Sequence, residues 1–356
     1  MSKTARMMLV LAGSAGLAST PTHAQTAVEI YGIVDAAIVV DRGGMEGSLT
    51  KMSGGAASTS RIGFKASENL GKGLSAFFIL ETGIRLDTGA TDVAGSIFNR
   101  QALVGLKGGF GTVALGRQYT PYHNALVQIV DPFGTGYAGT AKNLFPHSGS
   151  NIRTSNTLTW ASPKFNGADV ELAYSAGEQS DSSARRQFGG AIGYAGGPLS
   201  VRLVYNSKNG DAATGFARSR NTLLGAQYKL GKVTLHAGYG IDRGPESSPL
   251  ANTGNPYGGI APTASSDGRE ALLGVSAQIG PGKLMASVMH KDDRSAFNQD
   301  ASAWGIGYLY GLSKRTGLYA AYGHVRNRNG AGYTVNNNTD TGTGNTGYNL
   351  GLRHTF

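Results

Sequence analysis

A chain of 356 residues with 55 Gly and only 15% charged side chains is ill suited to a helical fold, because each interior Gly costs about 1 kcal/mol against Ala. With no Cys, no disulfide supports it either. The formal net charge of +10 is spread thinly, without a Lys/Arg cluster interleaved with stacking aromatics, which excludes a nucleic-acid partner.

The N-terminus, MSKTARMMLVLAGSAGLASTPTHA, reads as a secretory signal peptide over residues 1–24. Lys3 and Arg6 supply the basic start, Met7 to Ala18 the apolar core, and Thr22 and Ala24 the small-residue cleavage site. The core is too short, and too diluted by small residues, for a membrane anchor. No later segment reaches the roughly 18 consecutive apolar residues of a spanning helix. Residues 25–356 are therefore expected to be exported as one unit without a helical anchor.

From Val28 the sequence alternates. VEIYGIVDAAIVV places Val28, Ile30, Val34 and Ile38 on one face, and Glu29, Tyr31 and Asp35 on the other. A period of two is the mark of a strand. In TSRIGFK, Ile62 and Phe64 take the apolar face, which sends Arg61 and Lys65 to the polar one. Farther on, LSAFFILETGIRL puts Glu81 and Arg85 on the face of Ser75. Arg117 in TVALGRQ shares parity with Val113 and Leu115 and points to the apolar side. An arginine facing lipid costs roughly 2–4 kcal/mol at the midplane, so Arg117 reads as a subunit contact. Snorkelling to the headgroups is its alternative.

Between the strands ending near Tyr119 and beginning near Ile152 lies the longest insertion of the first half, residues 119–152. Its segment DPFGTGYAG formally matches G-x-G-x-x-G at Gly134, Gly136 and Gly139. A dinucleotide site needs a helix opening at those glycines and an acidic residue about 20 positions on; neither is present. The loop instead carries Leu126, Ile129, Val130, Phe133, Leu144 and Phe145, anchors that a solvated loop does not need. Loops of this length are usually functional, and this one reads as a constriction loop packed on its own wall.

RTSNTLTWA then sets Leu158 and Trp160 against Ser155, Thr157 and Thr159, with Arg153 on the polar face. SVRLVYNS and VTLHAGYGID repeat the theme, and TGYNLGLRHTF ends it with Tyr348, Leu350, Leu352, His354 and Phe356 in step. Short turns such as GGFG (108–111) and GPGK (280–283) alternate with long polar connections such as 243–268 and 327–345. Sixteen candidate strands result. A soluble sandwich would bury the apolar faces and obtain a small core for so long a chain. Turned outward to lipid, the same faces leave a polar lumen, and backbone groups in lipid are all paired only if the sheet closes. The pattern predicts an all-β fold, a transmembrane antiparallel barrel with short periplasmic turns and long extracellular loops.

These segments also resemble the trimeric general porins of Gram-negative bacteria, especially the betaproteobacterial type. VEIYGIVDAAI resembles that family's first strand, SRIGFKASENLGKGLSAFFILETG its second and third, and RQALVGLKGGFGTVALGRQYTP the hairpin before its third loop. NTLTWASPKFNGADVELAYSAGE is similar to the pair after that loop, and GLRHTF to the terminal strand. The resemblance implies a sixteen-stranded barrel, three per assembly, whose third loop folds inward. It places Arg61, Arg100 and Arg153 in a basic cluster opposite that loop, with Glu81 beneath them and Asp131 among the loop acids. Arg100 is assigned to the lumen chiefly on this ground. Asp131, Pro132, Phe133 and Gly134 fall where relatives place a turn at the constriction. Val127 replaces a second loop acid, and Ile33 a frequent basic residue of the first strand. Phe356 is similar to the signal read by the barrel-assembly machinery, although His354 departs from the apolar residue common two positions before it.

Asp131, His147 and Ser148 share a loop, but residue types alone do not make a hydrolytic triad. No metal cluster is convincing and no cofactor is expected. The function expected is an outer-membrane porin, a water-filled channel for passive diffusion of ions and small hydrophilic solutes. Arginines facing few loop acids predict weak anion selectivity. A substrate-specific channel for organic acids is the alternative, and an outer-membrane enzyme or adhesin a distant one. Expected partners are two further copies of the chain, outer-membrane lipid and lipopolysaccharide, and the assembly machinery.

Overall fold

The computed structural model describes residues 28–44, 47–180, 183–215, 217–248 and 264–356. The expected signal peptide, 1–24, lies outside the described residues.

The first strands are β1 (Glu29–Gly44), β2 (Gly47–Ser53), β3 (Ser60–Gly71), β4 (Leu74–Ile84), β5 (Gln101–Gly108) and β6 (Gly111–Tyr119). After the long insertion come β7 (Arg153–Ala161), β8 (Ala168–Ser175), β9 (Gln187–Gly196), β10 (Leu199–Lys208), β11 (Ser219–Leu230) and β12 (Val233–Arg243). The set ends with β13 (Asp267–Ile279), β14 (Gly282–Asp293), β15 (Ala301–Gly311), β16 (Thr316–Asn327) and β17 (Thr346–Thr355). β2 and β3 both pair with β1, through Ala37↔Ser53 and Glu29↔Lys65, so they share one position in the wall. The barrel therefore has sixteen staves, each antiparallel to its neighbours. It closes where β1 meets β17, from Ile33↔Thr355 to Arg42↔Thr346. Gly32 and Phe356 then exchange both backbone hydrogen bonds at 3.1 Å.

The period-two pattern resolves as expected. Ile30, Ile38, Leu273, Leu350 and Leu352 are exposed on the outside, whereas Asp35, Glu81 and Asn349 are buried on the inside. So continuous an apolar exterior suits lipid rather than water. Near the long-loop end, Trp304, Tyr322 and Tyr348 form a row of tilted and edge-on contacts, with centroids 4.9 Å apart at each step. Such rings sit at membrane interfaces, one side apolar and one wet. No helix among the described residues is long and apolar enough to cross a membrane; the crossing is made by strands.

The connection 120–152 runs inside the barrel. It opens with α1 (Pro121–Ala125), where Thr120 Oγ1 accepts from the His123 N–H at 3.1 Å, and continues as a π-helical turn, Leu126–Val130. Tyr122, Leu126, Val130, Leu144 and Phe145 are fully buried between loop and wall. The wall makes room for them with glycine. A Cβ at Gly225 or Gly238 would meet Val130, at Gly274 Pro132, at Gly305 Gly139, and at Gly323 Ala138. These wall glycines form the seat on which the loop rests.

Two more segments fold inward and meet the loop, and the sequence pattern did not indicate either. One is the break 54–59 between β2 and β3; Tyr319 OH and the Ser58 N–H donate to the Asp35 carboxylate at 2.6 and 2.9 Å, tying the break to the wall. The other is the connection after β16, expected outside as 327–345, in which Ala331, Tyr333 and Val335 are buried. The N–H groups of Tyr137 and Asn338 both donate to Ala56 O, at 2.7 and 3.1 Å, so the three segments lock together.

Gly323→Val should force Ala138 and its neighbours off the wall, at about 1–3 kcal/mol, the usual cost of overpacking. The expected result is a lower temperature of barrel unfolding, read from heat-modified gel mobility, together with a changed single-channel conductance. Unchanged values of both would show that the loop does not depend on this seat.

Candidate pore eyelet

Two chambers meet across the inward loop. Ala57 and Ser58 on one side, and Val127 and Gly134 on the other, line both, which makes them the narrow passage between. Val127 and Gly134 are held by the π-helical turn and by the reversal after it, where Gly134 takes φ +60°, a conformation natural to glycine.

The chamber on the long-loop side has a volume of about 250 Å³. Its charged lining consists of Arg61, Arg85, Arg100, Lys142 and Arg153 against a single carboxylate, Asp92. Arg61 on β3, Arg100 just before β5 and Arg153 at the start of β7 are three of the arginines, and Tyr119 at the end of β6 gathers two of them. Arg100 Nη2 and Arg153 Nη2 both donate to Tyr119 OH, at 2.6 and 3.1 Å. The Arg153 guanidinium also lies 4.6 Å from the centre of the Tyr119 ring, a favourable cation–π position. Glu81 stands behind them on β4: Arg100 Nε donates to it at 2.7 Å, Tyr31 OH at 3.0 Å, and Arg61 lies 3.9 Å away. One buried carboxylate thus anchors a cluster that keeps a positive excess toward the water.

Arg61, Glu81, Arg100 and Arg153 therefore lie together, and Arg85 joins them from the loop after β4. Arg153 reaches the lumen by a route the alternation did not indicate. Asn156 has φ +55° and the β6–β7 register slips by one residue there. Ser155 consequently leaves the polar face on which Arg153 was expected to have it, and its Oγ accepts from Arg117 Nη1 at 2.9 Å. Arg117 Nε donates to Asn99 O at 2.6 Å, so this half-buried guanidinium is held by neutral acceptors.

Asp131 differs from expectation. Its carboxylate does not face the arginines; it is 3% exposed and turned into the loop. There it accepts from the N–H groups of Phe133, Thr135 and Ala141 and from Thr140 Oγ1, at 2.8 to 3.0 Å. Burial pushes its carboxyl above the ordinary range. A loop that reverses at Pro132–Gly134 strands several N–H groups, and Asp131 is the acceptor that satisfies them. Its chemistry is structural.

The second chamber, about 540 Å³, is lined by Lys232, Lys283, Arg353 and His236, with Asp131, Pro132 and Phe133 at its upper edge. Sequence reasoning missed these cations, and also Tyr119, Lys142 and Asp92. Lys142 donates to the carbonyls of Asn337 and Asn338 at 2.9 Å, and burial pulls its ammonium down to about 8. Its place depends on the connection after β16 turning inward, which no local pattern encodes. Among the described residues no cluster of His, Cys, Asp and Glu could hold a metal ion.

Residues 9–330 match the Gram-negative porin family. The chain belongs to that family. It is 29% identical to outer membrane porin protein 32 of Delftia acidovorans, covering 95% of this chain and 97% of that protein. With an outer membrane porin protein of Bordetella pertussis it shares 30% identity over 92% and 95% of the two chains. Among solved structures, an anion-selective porin from Comamonas acidovorans superposes with a TM-score of 0.76 at 28% identity, over 93% of this chain and all of the other. The protein is thus an outer-membrane porin, a water-filled channel of a family that conducts solutes rather than transforming them.

Arg100→Gln would leave the buried Glu81 with only Tyr31 and the distant Arg61. Removing one partner of a buried pair costs about 3–5 kcal/mol, mostly from the stranded charge. The porin should therefore unfold at a lower temperature as Arg100→Gln, and regain most of that loss as Glu81→Gln/Arg100→Gln. Additive losses in the double variant would contradict the pairing.

Proposed function

We propose that this porin prefers anions, weakly, and that its selectivity is set at Arg61, Arg85, Arg100 and Arg153 with Glu81 as their fixed counter-charge. The observation that carries this reading is the outer chamber's lining of five cationic side chains and one carboxylate. A narrow aqueous passage walled by low-dielectric protein focuses the field of such charges, and arginine or lysine rings favour anions. Lys232, Lys283 and Arg353 continue the positive lining below the eyelet. The anion-selective porin from Comamonas acidovorans supports the same reading by likeness. Asp131, Pro132, Phe133 and Gly134 act by holding the loop tip at the passage. Ions and small hydrophilic solutes pass down their gradients, with no covalent step and no cofactor.

The same reading includes a homotrimer in outer-membrane lipid and lipopolysaccharide. Arg117, outward and bonded only to neutral acceptors, is assigned to the contact between copies. Phe356, whose ring stands over Gly32 at the barrel seam, is assigned as the signal for barrel assembly, and residues 1–24 as a cleaved signal peptide.

The test is the zero-current potential of the purified porin in a planar bilayer under a KCl gradient. An anion-preferring sign is expected, weakened in Arg61→Gln/Glu81→Gln/Arg100→Gln/Arg153→Gln, a variant that removes the cluster without stranding Glu81. A cation-preferring wild type, or a variant with undiminished anion preference, would overturn the assignment.

A further inference from the structure

One group in the outer chamber is not needed for a fixed positive charge: a pair of histidines. His123 of α1 and His147 farther along the same loop are joined by a hydrogen bond from ring to ring, Nδ1 to Nε2, at 2.7 Å. The two rings are nearly parallel, with centroids 5.0 Å apart, and His123 lies flat on Tyr119 at 4.2 Å. Both rings line the chamber. His147 is 5% exposed, and its Nδ1 has no hydrogen-bond partner.

A nitrogen-to-nitrogen bond needs one protonated and one bare nitrogen, and burial beside several cations keeps the resting pair as two neutral rings. The pair keeps one bare nitrogen for a further proton: His147 Nδ1 where His147 Nε2 donates the shared hydrogen bond, His123 Nε2 where His123 Nδ1 donates it. What opposes that proton is burial first, and then the charges that face the pair. Burial, His147, Arg153, Arg100 and Lys142 hold His123 well below its ordinary value, and burial, Lys142 and Arg153 do the same to His147. Arg61, Arg85 and Asp92 face the pair from the far side of the chamber, and Glu81 lies behind Arg100. The cations that draw an anion inward are the same ones that keep the proton out.

We propose that the outer chamber holds small oxyanions and that the His123–His147 pair takes up a proton as the anion binds, so that acidification tightens the binding. This rests on the anion preference proposed above and adds proton linkage to it. An oxyanion among Arg100, Arg153 and Lys142 cancels part of their potential at the rings and makes the added proton acceptable. By linkage the proton then strengthens the anion's hold by the same factor. Chloride profits less than a dianion, whose charge is larger.

Sulfate is the probe, because it remains a dianion across the interval. Block of chloride current through the purified full chain by sulfate is measured at fixed ionic strength, at about pH 7.5 and about pH 4. His123→Gln/His147→Gln retains every other charged group of the chamber, so it isolates the pair's share. In the wild type the half-blocking concentration is expected to fall about tenfold on acidification, and in the double variant less than about twofold. Absence of a shift in the wild type, or an equal shift in the double variant, overturns the proposal. Should the double variant fail to give a heat-resistant barrel, His147→Asn alone is held to the same two outcomes. The underlying anion preference fails separately, as a cation-preferring zero-current potential in KCl without sulfate.

Discussion

Every backbone N–H and C=O that faces lipid must be bonded within the protein, and the rest of this structure follows from that requirement. Unpaired groups cost several kcal/mol each in hydrocarbon, so the sheet must have no edge. The ladder between β1 and β17 and the reciprocal bonds of Gly32 and Phe356 remove the last one. Closure in turn fixes a lumen too wide to discriminate among solutes. The protein narrows it by sending a loop back through the middle, and a loop of backbone in the lumen raises the same pairing requirement again. Asp131 meets it for the reversal at Pro132–Gly134, and Ala56 O meets it for Tyr137 and Asn338.

Seating that loop accounts for a group of wall glycines. Close approach of the loop excludes a Cβ on the wall: loop side chains take the space at Gly225, Gly238 and Gly274, and loop backbone takes it at Gly305 and Gly323. The loop's apolar side chains fill the space, so the element that defines the passage is fixed by packing rather than by charge. Charge is then free to serve permeation. Glu81 is the exception, a buried acid whose bonds to Arg100 and Tyr31 hold the arginine cluster in place while leaving it a net positive field.

The strand pattern was open to reading because its period is local: Ile30, Leu350 and Leu352 face out, and Arg61 and Glu81 face in, as parity required. What escaped depends on long-range contact or on a single irregular residue. The left-handed conformation of Asn156 shifts Ser155 to Arg117 and breaks the alternation. The break 54–59 is visible only through its bonds to Asp35, which is distant in sequence. Asp131 was assigned to the right turn, but the direction of its carboxylate depends on the N–H groups left by the loop's own path. Lys142, His123 and His147 enter the chamber for the same reason, on a loop whose course is set by glycines far along the chain.

The central claim is that the passage between Ala57–Ser58 and Val127–Gly134 is the narrow point and carries a positive potential. The chain has no cysteine, so Val127→Cys places a single thiol there without background. The most direct measurement is the rate at which an anionic and a cationic thiol reagent of equal size modify it in the conducting porin, at low and high salt. The account predicts that the anionic reagent reacts faster by about tenfold at low salt, converging on the cationic rate as salt screens the field, with modification reducing conductance. Faster reaction of the cationic reagent, or modification that leaves the conductance unchanged, would contradict it.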